Sequence, residues 1–195
     1  MVYRQQRIRD PIHNLISFED NEFEDVIWRL IQTRPFQRLR RIKQLGFSDL
    51  VYPGATHSRF AHSVGVFQTA RQLMQIIQKK VGQPNWSQSK ANAALAASLL
   101  HDVGHGPFSH AFEEVGRRLN LKLADHEHVS DQLIRDSEIA GPLKDISSGF
   151  HNDVADVIKS KGPRTVYDAV VSSQFDADRL DYMRRDRMMT VRHMA

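Results

Sequence analysis

The sequence predicts an all-α domain with a small β-hairpin at its start, and three observations predict it. Apolar residues recur at helical spacing in segment after segment of the 195 residues. An alanine-rich apolar run, Ala93–Leu100, is long enough for a buried helix. Only residues 7–18 read as extended.

Within that extended stretch, Asp10-Pro11 and His13-Asn14 are turn-forming pairs between short apolar segments, which suits a hairpin. Asn21 can cap a helix whose Phe23, Val26, Ile27, Leu30 and Ile31 form one apolar stripe. Thr33 or Arg34 with Pro35 starts the next helix, expected to end near Gly46. After a turn at Tyr52–Ala55, Ser58 opens a long helix with Val64, Phe67, Leu73, Ile77 and Val81 inward, stopped by Gly82 and Pro84. Ser87 or Ser89 can cap the alanine-rich helix, which Gly104, Gly106 and Pro107 break. Shorter helices are expected at about 109–120, 126–137, 151–160, 165–173 and 176–188, with a soft patch from Gly141-Pro142 to Gly149.

Composition narrows the function. A hydrophobic share of 41% and a charged share of 26% describe an ordinary globular chain, here read as a single domain over 1–195. No apolar stretch approaches the roughly 20 residues of a membrane span, and Met1–Gln5 lacks the apolar core of a signal peptide. With no cysteine there is neither a disulfide framework nor a thiolate metal site, so the cytoplasm is the expected location. The net charge of +4 is gathered in two clusters, Arg38/Arg40/Arg41/Lys43 and Arg179/Arg184/Arg185/Arg187. Each reads either as a solvated helix face or as an anion site. Interleaved aromatics that would mark a nucleic-acid module are missing. The arginine-rich last helix runs straight into the terminus, which suggests that the sequence continues beyond Ala195.

The ten histidines are grouped, with His57 and His62, then His101, His105 and His110, then His126 and His128. His101-Asp102 closes the apolar helix, where a buried imidazole or carboxylate costs free energy unless paired, hydrogen-bonded or bound to a cation. Together the two suit a borderline divalent ion. His62, near the start of the long helix, and Asp178, on the late helix, can supply two more ligands, so that three helices converge on one ion. His57 reads as a turn or capping neighbour, His128 and His151 as surface residues, and Phe60, Phe67 and Phe108 as core.

The order His62, His101-Asp102, Asp178 resembles the H…HD…D pattern of the HD-domain metal phosphohydrolases, an HD-domain helical bundle, and more narrowly their deoxynucleoside triphosphate triphosphohydrolase branch. Matching segments run in family order: Asp10–His13, Phe36–Arg40, Tyr52–Phe60, His62–Gly65, His101–His110, His126-Glu127 and Asp178–Asp186. The resemblance implies that His62, His101, Asp102 and Asp178 hold a divalent ion (Mn, Fe, Co, Ni, Zn or Mg). It implies catalytic roles for His105, Glu113, His110 and His126, with Glu113 standing where a relative has Asp. Substrate contacts are implied for Arg59, Arg179, Tyr182 and Asp186, Arg179 replacing a lysine.

The reaction implied is hydrolysis of a dNTP to deoxynucleoside and triphosphate, a histidine protonating the 5′ oxygen. Arginines would stabilise charge on the phosphates. A homo-oligomer and a nucleotide effector near Arg38 and Arg40 are also implied. Gln32, where guanine-regulated relatives carry an acid, counts against guanine as that effector. Two alternatives stay open: a phosphomonoesterase or other phosphoester hydrolase, and an inactive nucleotide-sensing module.

Overall fold

The computed structural model describes residues 5–160 and 162–190. Strands β1 (Gln6–Asp10) and β2 (Asn14–Phe18) pair antiparallel, Ile8 opposite Ile16 and Asp10 opposite Asn14. Asp10 shapes their turn: its Oδ1 accepts from the backbone N–H of Ile12 at 2.9 Å and of His13 at 3.0 Å. This is the Asx arrangement, in which a short side chain substitutes for a backbone partner. Ile16 and Phe18 are buried. The Phe18 ring lies 5.2 Å from Trp28 and 6.0 Å from Phe67, which anchors the hairpin on the first and third helices.

Helix α1 (Glu22–Gln32) begins at Asn21, whose side chain accepts from the Glu24 N–H, and it buries Val26, Ile27, Leu30 and Ile31 as its stripe predicts. Asn21→Ala should therefore lower stability by about 1 kcal/mol, read as a reduced denaturation midpoint; an unchanged midpoint would show that the cap contributes nothing.

Helix α2 (Arg34–Arg38) is shorter than expected, passing into a single 3-10 turn at Leu39–Arg41 instead of reaching Gly46. The next residues are needed elsewhere. The Ile42 carbonyl accepts from the Arg59 N–H at 2.8 Å, and Lys43 forms a bridge with Ser58.

Helix α3 (Arg59–Val81) is capped by Ser58 and closed by Gly82 at φ +74°. Val64 and Phe67 are buried, Leu73 and Ile77 only partly, and Met74 takes an inward position. Helix α4 (Gln88–Leu100), capped by Ser87, buries Ala91, Ala93, Ala94, Ala96 and Ala97. These small side chains let neighbouring helices approach closely.

Helices α5 (His110–Arg118), α6 (His126–Asp136), α7 (Ala140–Ile146), α8 (Phe150–Lys159) and α9 (Ala177–Thr190) follow. Helix α7 occupies the patch expected to be a soft loop. Pro142 sits in its first turn, where a missing N–H costs nothing, and Leu143 is fully buried. Residues 165–173 hold only a 3-10 turn, Asp168–Val170. There the Asp168 carboxylate accepts from the N–H groups of Arg164 and Thr165, a local bond that competes with helix.

Helix α3 packs against α4 and α9, α4 against α8, α6 against α8, and α1 against α7. The fold is therefore helical with one N-terminal hairpin, as predicted. No helix among the described residues is long and apolar enough to cross a membrane.

Candidate metal centre

Three of those helices deliver four side chains to one point. His62 lies on the first turn of α3, His101 and Asp102 leave the end of α4, and Asp178 opens α9. His62 Nε2 stands 2.9 Å from Asp178 Oδ1 and 3.7 Å from Asp102 Oδ2. His101 Nε2 stands 3.4 Å from Asp102 Oδ1 and 3.7 Å from Asp178 Oδ1. The rings of His62 and His101 meet edge to face, 5.5 Å apart.

The backbone and neighbouring carboxylates set which nitrogen is free. His101 Nδ1 lies 2.9 Å from the Ser98 carbonyl, which can only accept, so Nδ1 carries the proton. His62 Nδ1 lies 2.9 Å from Asp181 Oδ2, which holds its proton in the same way. Both Nε2 atoms are buried without a hydrogen-bond partner, and both face carboxylate oxygens. Two imidazole nitrogens and two carboxylates aimed at one another need a positive charge between them. Burial works against a charged His62, but Asp178, Asp181 and Asp102 outweigh it and hold the ring up at about 9. Burial likewise opposes charge on His101, and Asp102 and Asp178 overcome it. Asp102 is held well below the usual carboxylate range because His101 and Arg59 outweigh its burial. His62, His101 and Asp102 bring one ligand atom each within 4.8 Å of one another, and Asp178 Oδ1 adjoins both imidazoles; nitrogen with carboxylate oxygen suits a borderline divalent ion.

A second group adjoins the first. Glu113 on α5 is buried and gathers three histidines: its Oε1 lies 2.5 Å from His126 Nδ1 and 3.5 Å from His105 Nδ1, and its Oε2 lies 3.3 Å from His110 Nδ1. Burial alone would raise its carboxyl; His126 and His110 pull it below the ordinary value. The longer glutamate arm thus reaches all of them. The His105 and His126 rings stack at 3.8 Å, and His105 Nε2 is 3.3 Å from Asp102 Oδ1, which joins the two groups. Burial pushes His105 down to about 4 despite Asp102, so its ring is neutral at ordinary pH.

The loop between α4 and α5 is shaped for this. A Cβ on Gly104 would overlap the His126 carbonyl and the Ser130 N–H, so glycine permits the close approach of the loop to α6. Phe108 (φ +63°) and Ser109 (φ +55°) turn the chain through left-handed conformations just before His110. Phe108 is consequently not core: it is 48% exposed and stacks on Phe47 at 4.3 Å.

A cleft of about 310 Å³ opens onto both groups, lined by Arg59, His101, Asp102, His105, His110, His126, Asp178, Tyr182 and also Gln44. Arg59 pairs with Asp102 and donates to Ser109 Oγ at 3.2 Å. Two expected substrate contacts lie outside this lining. The Arg179 guanidinium is held by Asp176 and the Ser173 carbonyl. Asp186 turns toward His57, whose Nε2 is 3.2 Å from its Oδ1.

The arginine clusters prove partly internal. Arg38 donates to the Val103 and His105 carbonyls at 2.7 and 2.8 Å, bracing the loop, while Arg40 lies over the Phe60 ring at 3.5 Å. Arg185 is fully buried and paired with Asp181 and Asp10, so it is neither a solvated side chain nor an anion site. His151, expected at the surface, is buried, and His57 is buried as well. Sequence reasoning missed Asp10, His13, Asp181 and Arg185 as companions of His62. The single available signal was that Asp10–His13 and Asp178–Asp186 both belonged to the matching segments.

A sequence profile of the HD domain matches residues 59–186, which include all four converging side chains. An uncharacterized protein of Bacillus subtilis (strain 168) is 45% identical over 183 residues, covering 93% of this chain and 40% of its own. A deoxynucleoside triphosphate triphosphohydrolase SAMHD1 homolog of Dictyostelium discoideum is 36% identical over 195 residues, covering 92% of this chain and 35% of its own. The crystal structure of a phosphohydrolase from Bacteroides thetaiotaomicron superposes with a TM-score of 0.77 at 34% identity, over 95% of this chain and 42% of that one. The chain thus spans less than half the length of these relatives.

Proposed function

The chain belongs to the HD-domain family, and from that premise we propose that it is a metal-dependent phosphohydrolase acting on dNTPs. One observation carries the reading. Two buried, unpartnered imidazole nitrogens face two carboxylates in a cleft that also holds a glutamate-centred histidine group. His62, His101, Asp102 and Asp178 would hold the ion; when bound, it supplies water activation and charge neutralisation at phosphate.

The remaining residues have work of their own in this reading. Water attacks the α-phosphorus, the bond to the 5′ oxygen breaks, and triphosphate and deoxynucleoside depart. The leaving 5′ oxygen needs a proton, which His110 or His126 is placed to give: Glu113 backs each at Nδ1, and both line the cleft. Neutral His105 stacks on His126 and orients it. Arg59 is the cation for phosphate oxygens, and Tyr182 offers a ring and hydroxyl for the sugar. Arg179 and Asp186 would have to turn toward the cleft to contact substrate.

One observation favours a shorter phosphate substrate. Arg59 is the one arginine lining the cleft among the described residues, and it already pairs with Asp102. A phosphomonoester asks less of cationic side chains than a triphosphate does. Protein loaded with Mn²⁺ should be offered dNTPs, ribonucleotides and monophosphates, with products separated by ion-exchange chromatography. Release of intact triphosphate from at least one dNTP is the expected result. Orthophosphate from monophosphates alone would move the assignment to a phosphomonoesterase, and tight metal binding with no turnover would leave a sensing module.

A further inference from the structure

His62 is the ligand most deeply enclosed, and the groups around its far nitrogen form a closed set. Asp181, fully buried on α9, receives His62 Nδ1 on Oδ2 at 2.9 Å and His13 Nε2 on Oδ1 at 2.8 Å. Arg185, one turn further along α9, donates Nε to Oδ2 at 2.8 Å and Nη2 to Oδ1 at 3.0 Å. Its Nη1 reaches Asp10 Oδ2 at 2.8 Å. The other Asp10 oxygen accepts the backbone N–H groups of Ile12 and His13 that make the hairpin turn. One carboxylate thus accepts four hydrogen bonds, two from each side, and a second links that assembly to the backbone of a hairpin far away in sequence.

We propose that Asp181, held by Arg185 and His13 and through them by Asp10, is the positioning group of the metal centre. It keeps the proton of His62 on Nδ1 and the Nε2 lone pair aimed at Asp102 and Asp178, which makes the N-terminal hairpin turn a working part of the site. This rests on the metal reading above and deepens it. The physical argument is one of saturation. A carboxylate accepts only, so with Arg185 and His13 donating to it, His62 must donate too. The ring can neither flip nor change tautomer without setting a lone pair against the carboxylate or leaving that buried charge short of a donor. Ligating histidines commonly have the other nitrogen fixed by such a partner, whose loss weakens metal affinity by about 10–100-fold. His101 relies on a backbone carbonyl for the same service, so its orientation does not depend on this assembly.

The test uses Co²⁺ as probe, on wild type, Asp181→Asn, His13→Ala and His13→Gln, each checked for fold by circular dichroism. Affinity is measured by competition with a fluorescent chelator. Proton NMR of the cobalt-loaded protein follows the exchangeable Nδ1–H signals of His62 and His101. Asp181→Asn places an N–H against Arg185 or His13, so cobalt affinity should fall by about 10–100-fold. The His62 signal should move or vanish while the His101 signal stays. His13→Ala should show the same selective shift with a smaller loss, and His13→Gln, which restores a donor, should recover it. If Asp181→Asn does not fold, the His13 pair decides alone. Folded variants with wild-type affinity and an unmoved His62 signal would overturn the proposal. Wild-type protein that takes up no cobalt would instead remove the metal reading on which it stands.

Discussion

Asp102→Ala should strip the protein of its ion and reduce phosphoester hydrolysis to background, by more than the roughly 100-fold that losing an outer partner of a ligand can cause. Asp102 is the residue at which both groups of the cleft meet. Its Oδ1 faces His101 Nε2 at 3.4 Å and His105 Nε2 at 3.3 Å, and its Oδ2 faces His62 Nε2 at 3.7 Å. Oδ2 also takes the Arg59 guanidinium, which is itself 3% exposed. Removing the carboxylate therefore takes an acid from three imidazoles and a buried arginine, and leaves Asp178 as the one carboxylate still facing the Nε2 atoms of His62 and His101. The ion loses an anionic ligand while the site gains uncompensated positive charge, and both effects oppose metal binding. The unpaired Arg59 adds a stability cost of about 3–5 kcal/mol, the usual consequence of breaking a buried pair from one side. Asp102→Asn lessens the stability cost without removing it, since it keeps the shape and a hydrogen-bond acceptor for Arg59 but not the charge. It should be less destabilised than Asp102→Ala yet carry little metal by elemental analysis. An Asp102→Asn protein with a full equivalent of bound metal and unimpaired turnover would sink the ligand assignment.

What could be read from the sequence was whatever acts locally or through one helix. Asn21, Ser58 and Ser87 cap the helices expected of them because capping needs only a side-chain oxygen and an N–H three residues on. His62, His101-Asp102 and Asp178, which the structure brings together, could be named because a site assembled from three helices leaves a spaced pattern of residue types. Where three-dimensional neighbours decide, the reading failed. Arg38 and Arg185 read as solvated charges or anion contacts because helical spacing says nothing of a carbonyl or carboxylate waiting on another element. Phe108 reads as core on hydrophobicity alone, but it lies in a left-handed turn of the chain and is 48% exposed. Helix α7 was hidden because Gly141-Pro142 signals a loop, whereas burial of Leu143 outweighs that weak local preference. The companions of His62 were the hardest to see. Asp10 and Asp181 are ordinary turn and helix residues until the hairpin is laid against α9.

Gly65→Ala should cost about 3–5 kcal/mol of stability and impair metal binding together, although it adds a single methyl group to a helix where alanine is the better former. By propensity alone the change should stabilise by roughly 1 kcal/mol, so the sign of the result discriminates. Gly65 lies one turn after His62 on α3, on the face covered by α9. A Cβ there would overlap both Asp181 Oδ1 and Arg185 Nη2. Neither group can yield cheaply. Asp181 is tied to His62, His13 and Arg185, and Arg185 is tied at its other end to Asp10, all within a fully buried pair. The helix must move away from α9, or the ion pair must break and leave a buried charge exposed to nothing that can solvate it. Either response disturbs His62, because its Nδ1 bond to Asp181 spans the same gap. Thermal denaturation of the metal-free protein and cobalt affinity should therefore fall together. A Gly65→Ala protein that melts higher than wild type and binds cobalt as tightly would mean that α3 and α9 are not pressed together at this point, and that the assembly behind His62 is looser than its bond lengths indicate.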